Sequence, residues 1–135
     1  MNLEKLKRYF KNDRFAAAAG VSLLEAEEGY CLASMIIEDR HLNAAGVVQG
    51  GAIFTLADFA FAVAANSRGQ LALAINANIS FLKGKSTGTT LYATARELSE
   101  PDRLGVYDVL ITDEKKTLIA RFNGMVYRKR ESHAF

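Results

Sequence analysis

The chain has one cysteine, one proline, two histidines and no tryptophan among its 135 residues. A lone thiol at Cys31 excludes an internal disulfide, and with only His41 and His133 available there is no set of side chains to ligate zinc. Neither a metal nor another cofactor is expected. Long hydrophobic runs are missing too: the longest, Ala52 to Ala65, is too short for a bilayer and is interrupted by Asp58, and MNLEKLKRYF has no signal-peptide core. The expected address is the cytoplasm, without a membrane partner. A net charge of +2, with no basic patch interleaved with aromatics, argues against a nucleic-acid partner. There is no GxSxG elbow. GKST at Gly84 to Thr87 fails the phosphate-loop pattern, because Ile79 stands where the first glycine belongs and the segment joins two strands, so it reads as a turn.

What is present is the composition of an ordinary globular protein, half hydrophobic and 24% charged, at the length of one domain spanning 1–135. Leu3, Leu6 and Phe10 share one helical face with lysines opposite, which predicts an amphipathic helix within an N-terminal segment, 1–17, that lies on the main body. VSLLEAEEGY turns at Glu28-Gly29 into CLASMIIED, a predicted hairpin. A loop of small residues then leads into Gly51 to Ser67, the longest predicted helix, with Gly69 placed for a left-handed C-terminal cap. That helix is apolar on nearly every face and should be wrapped by the rest of the chain. LALAINANISFLK, TTLYATARELSE, GVYDVLITDE and KTLIARFNGMVYRKR read as the strands that wrap it, joined too closely for parallel crossovers. The expected class is α+β, an antiparallel sheet curled round one helix.

Asp58 is the anomaly in the stretch QGGAIFTLADFAFAVAAN. A buried carboxylate costs several kcal/mol unless it is paired. It is therefore either an ion-pair partner of a strand arginine such as Arg96 or Arg121, or a general base or nucleophile. Gly50 and Gly51 stand at the helix entrance, where unpaired backbone N–H groups and the positive end of the helix dipole suit a developing oxyanion. Glycine there also admits a close substrate, although a bare turn into the helix would use it as well. From Gly50 to Asp58 the helix rises about 12 Å, too far for both to serve one reacting atom. If both act, they come from different subunits of a symmetric dimer.

The segment HLNAAGVVQGGAIFTLADFAFAVAANSRG resembles the H-x-N-x-x-G-x-x-H-G-G-x-x-F-x-L-x-D segment of hotdog-fold acyl-CoA thioesterases, above all the phenylacetate-pathway type. The likeness continues through NISFLKGKSTGTTLYATA and GVYDVLI to the last strand. It implies a hotdog fold, a homodimer with active sites at its interface, and often a homotetramer. It also implies that the residue matching Asp58 activates water or attacks the thioester carbonyl, that the N–H matching Gly50 polarises this carbonyl, and that Asn43, from the same subunit as Gly50, positions thioester or water. Gln49 stands where the family has histidine, and glutamine hydrogen-bonds without titrating. His41 matches the family's first histidine and is assigned no catalytic role. The expected partner is an acyl-CoA, with Gly51 and Phe54 at the substrate and the CoA phosphates near surface cations such as Lys83, Lys85, Arg103 or Arg128. Two rivals are kept, a hotdog hydratase or dehydratase and a non-catalytic acyl-CoA sensor.

Overall fold

The structure is a computed structural model that describes residues 1–133. Helix α1 (Leu3–Phe10) starts where the Asn2 side chain accepts the Lys5 N–H at 3.1 Å, and it buries Leu6 completely. A second, short helix follows that the sequence reading did not separate: α2 (Arg14–Ala19), capped by the Asp13 side chain on the Ala16 N–H at 3.0 Å and ended by Gly20 at φ +85°. Strands β1 (Ser22–Glu27) and β2 (Tyr30–Ile36) form the expected antiparallel hairpin about Glu28-Gly29. Gly29 is required there twice over, since φ is +76° and a Cβ would lie 2.7 Å from Glu97 Oε2.

Beyond a single 3-10 turn at Asp39–His41 the chain enters helix α3 (Gly50–Asn66). Four strands follow: β3 (Gln70–Phe81), β4 (Thr90–Glu97), β5 (Leu104–Thr112) and β6 (Leu118–Ser132). All six strands form one antiparallel sheet in the order β1-β2-β4-β5-β6-β3, with α3 packed against it. This is the hotdog architecture. Alternate residues of the central strands point at the helix, among them Cys31, Ala33 and Met35 of β2, Leu91, Ala93 and Ala95 of β4, and Val109 and Ile111 of β5. Alanine on so many inward positions lets the sheet approach a helix that carries Phe59 and Phe61. Gly124 carries this further, because a Cβ there would meet the Phe61 ring at 2.6 Å.

Two surfaces are left uncovered by this arrangement. Helix α3 is not enclosed on all sides, as its apolar sequence had suggested: Gly51, Thr55, Asp58 and Ala62, spaced at helical periodicity, are exposed or half-exposed. One sheet can cover only one side of a helix, and α2 covers only part of the other. Strand β3 lies at the sheet edge with most of its residues exposed, Leu73 and Ile75 among them.

Candidate active site

The N-terminus of α3 is organised by Gln49. Its Oε1 accepts the Gly51 N–H at 2.6 Å, and its backbone carbonyl accepts from Ala52 and Ile53 at 2.9 and 3.3 Å. Gly50 is thereby left as the one residue of the first turn whose N–H has no acceptor among the described residues. A Cβ at Gly51 would come within 2.5 Å of Gln49 Oε1, so the second glycine is what lets the glutamine fold back as a cap. Sequence reading treated Gln49 as a substitute for a catalytic histidine and missed this capping role. The signal was its position immediately before the helix.

The Asn43 side chain is divided in function. Its Oδ1 accepts the N–H groups of Ala45 and Val47, at 2.9 and 3.2 Å, and so fixes a tight loop in which Gly46 adopts φ +80°. The amide nitrogen keeps its donors. Asn43 and Gly50 line the same cavity of about 480 Å³, together with Val48, Ile53, Phe81 and Lys83. The Phe81 ring is the nearest wall to Gly50, 3.0 Å from where a Cβ would stand.

Asp58 does not line that cavity. It is half-buried on the uncovered stripe of α3, and among the described residues it has neither a hydrogen bond nor an ion pair. The arginines that could have neutralised it are engaged elsewhere: Arg121 with Asp108 at 3.2 Å, and Arg96 over the Tyr30 ring at 4.7 Å. Burial holds its carboxyl above the ordinary range, and the charge of Asp13 adds to the effect.

Other expected residues scatter. Gln49 and Gly51 line a second cavity of about 550 Å³ with Phe15, His41 and Thr55. His41 is buried and its side chain is fully used, Nδ1 accepting the Glu38 N–H at 2.9 Å and Nε2 donating to the Ala19 carbonyl at 2.7 Å. Phe54 is half-buried against Phe122 rather than at either cavity. Lys85 pairs with Asp113 at 3.3 Å, which leaves Lys83 as the lysine facing the Gly50 cavity.

Arg128 requires correction. It is 2% exposed and is not a surface cation. Strand alternation in β6 turns it inward after Ala120, Phe122, Gly124 and Val126. There its Nη2 donates to Tyr107 at 2.9 Å and faces Glu97 at 3.4 Å, while Nη1 reaches the Asp102 and Leu104 carbonyls. Gly105 makes room for the guanidinium, since a Cβ would lie 2.5 Å from Nη2. Arg103 donates to the Arg128 carbonyl at 2.8 Å, near the start of β3, whereas Lys83 follows the end of that strand. Neither arginine belongs with the Gly50 cavity. Among the described residues no group of three or more His, Cys, Asp or Glu is placed to hold a metal ion.

A curved antiparallel sheet on one long helix defines the hotdog fold, and here the helix entrance carries the unpaired Gly50 amide. Comparison with known proteins agrees. The sequence profile of the thioesterase superfamily matches residues 45–120, and the chain belongs to that family. A putative esterase of Archaeoglobus fulgidus is 41% identical over 96% of this chain and 84% of its own. Acyl-coenzyme A thioesterase PaaI of Escherichia coli is 36% identical over 88% of this chain and 85% of its own. The solved E. coli PaaI, a protein from the phenylacetic acid degradation operon, superposes with a TM-score of 0.90 over 94% of this chain and 92% of its own at 34% identity. A Streptococcus mutans protein solved with acetyl-CoA bound has a TM-score of 0.80 at 25% identity, covering 84% of this chain and 91% of its own.

Proposed function

We propose that the protein hydrolyses the thioester of a small or medium acyl-CoA to the free acid and CoA. The observation that carries this reading is the Gly50 N–H, vacant at the positive end of α3 and sharing a cavity with the Asn43 amide. Donors fixed before the reaction stabilise a tetrahedral oxyanion without reorganising, and losing one typically costs about a hundred- to thousandfold in kcat. Asp58 supplies the other half, either taking a proton from water or attacking the carbonyl itself. Both roles need the ionised form, which burial makes a stronger base. The CoA thiolate leaves as the carbonyl re-forms, giving the free acid directly when water attacks; when Asp58 attacks, water then cleaves the resulting anhydride, releasing the acid and restoring the carboxylate. In this reading Lys83, which lines the same cavity, meets a CoA phosphate.

The active unit in this reading is a dimer. Asp58 lies off the Gly50 cavity of its own chain, about 12 Å along the helix. The edge of β3 and the open stripe of α3 are the surfaces on which a second copy would pair, bringing its Asp58 to this Gly50. A tetramer would be two such dimers. The same reading keeps the cytoplasmic address, for which the single thiol, buried at Cys31 with its pKa pushed up by desolvation, is suited.

The experiment is thiol release measured across short, long and aromatic acyl-CoAs. Turnover of at least one series supports hydrolysis. Saturable CoA binding without thiol release would instead make the protein a sensor.

A further inference from the structure

We infer that the protein carries a second ligand site, for a carboxylate with an apolar body, in the cavity between α1, α2, β1 and α3. This cavity of about 310 Å³ has an apolar floor contributed by all four elements: Phe10, Ala17, Val21 and Leu23, and Phe59. Its volume sits at the lower end of the range for small-molecule pockets, roughly 300 to 1,000 Å³. The floor is held firmly, since Leu6 anchors α1 and the Phe10 ring meets Phe59 edge-on at 5.8 Å.

The rest of the lining decides the chemistry. Lys7 and Lys11, one turn apart, complete the wall with Ser22, and no acidic residue lines the cavity. Neither lysine makes an ion pair or a hydrogen bond through its ammonium among the described residues, in contrast to Lys85 on Asp113. The carboxylates nearest in sequence, Glu4 to Lys7 and Asp13 to Lys11, make no ion pair with either lysine among the described residues, Asp13 accepting the Ala16 N–H at the start of α2. Lysine stems can lie along an apolar wall with their charged ends at its mouth. Apolar floor, two unneutralised cations and a hydroxyl together match one class of ligand, an acid with a hydrocarbon body. A neutral lipid would leave the ammonium groups without a partner, and a free phosphate would leave the floor bare. Acids of this class are what thioester hydrolysis releases. That link rests on the proposed activity, whereas the site itself does not.

Octanoate titrated into the full chain by calorimetry, with saturating CoA present, tests the site. One saturable site per chain is expected. The paired change Lys7→Glu with Lys11→Glu should weaken it about tenfold, as two exposed charge pairs are lost and reversed, and 1-octanol should bind at least as much more weakly. Ala17→Phe, on an exposed helix position, should block the floor without touching the lysines. Thiol release from acyl-CoA should be unchanged in the lysine variant. Octanoate affinity unaltered by charge reversal, equal affinity for octanol, or no saturable binding would each overturn the site while leaving hydrolysis standing. A chain that binds octanoate as described but releases no thiol would sink the hydrolysis reading alone.

Discussion

In the proposed mechanism Asp58 is the residue on which chemistry and stability pull in opposite directions. Its folded-state pKa is raised, so the folded chain holds the proton more tightly than the unfolded chain does. Stability contributed by this group is therefore largest at low pH and falls as pH rises from the unfolded carboxylate value through the folded one. Near neutrality the ionised side chain is a net cost. Asp58→Asn should lower kcat by at least about a hundredfold, with Tm unchanged or raised at neutral pH. A loss of Tm with retained turnover would return Asp58 to a structural role. The Asp13 charge makes a second test, because Asp13→Asn keeps a good helix cap but removes the neighbouring charge. The acid limb of kcat/KM should move to lower pH, which a pH-rate profile reads directly. The anomaly of Asp58 was legible in the sequence as an acid in an apolar run. That no arginine neutralises it was not, because Arg96 and Arg121 are placed by strand register.

At the scale of elements, the periodicities carried most of the fold. The turn at Glu28-Gly29, the long helix and the run of four strands follow from patterns that depend on neighbours in sequence. Helix α2 escaped because six residues, four of them alanine, show no amphipathic period; Asp13 and Gly20 at its ends were the usable signal. Arg128 was misread because RKR looks like a charge run, although counting by twos along β6 from Phe122 already turned it inward. At the entrance of α3 the assignment can be tested by removing the amide hydrogen, with alanine as the control for the added side chain, since a Cβ at position 50 would stand 3.0 Å from the Phe81 ring. Proline is tolerated at the first position of a helix, where its missing N–H breaks no internal bond. Gln49, at φ −72° and ψ 140°, already has the extended conformation that precedes proline. Gly50→Pro should therefore keep the helix and lower kcat about a hundred- to thousandfold, whereas Gly50→Ala, which sets the same Cβ against the Phe81 ring but keeps the N–H, should lower it far less. Gln49→Ala should act differently, costing about 1 kcal/mol of stability through the lost cap. Urea unfolding beside steady-state kinetics separates the two effects.

For the whole molecule, the dimer is the claim with most at stake, since strand order and the open edge of β3 arise from long-range pairing that no local pattern records. Complementation tests it by distributing the two defects between chains. In the proposed symmetric dimer each site would take Gly50 from one chain and Asp58 from the other. A chain carrying Gly50→Pro should lose its own amide but still offer a sound Asp58; a chain carrying Asp58→Asn should still offer a sound Gly50. Unfolded together in equal amounts and refolded, half the dimers should be mixed. Each mixed dimer has one site with both defects and one with neither, so activity should return to roughly a quarter of that of the unaltered protein, from two parents that are each almost inactive. If Gly50 and Asp58 acted within one chain, every chain in the mixture would carry a defect, and refolding would restore nothing. The 12 Å rise between them along α3 and the absence of Asp58 from the Gly50 cavity both point to recovery.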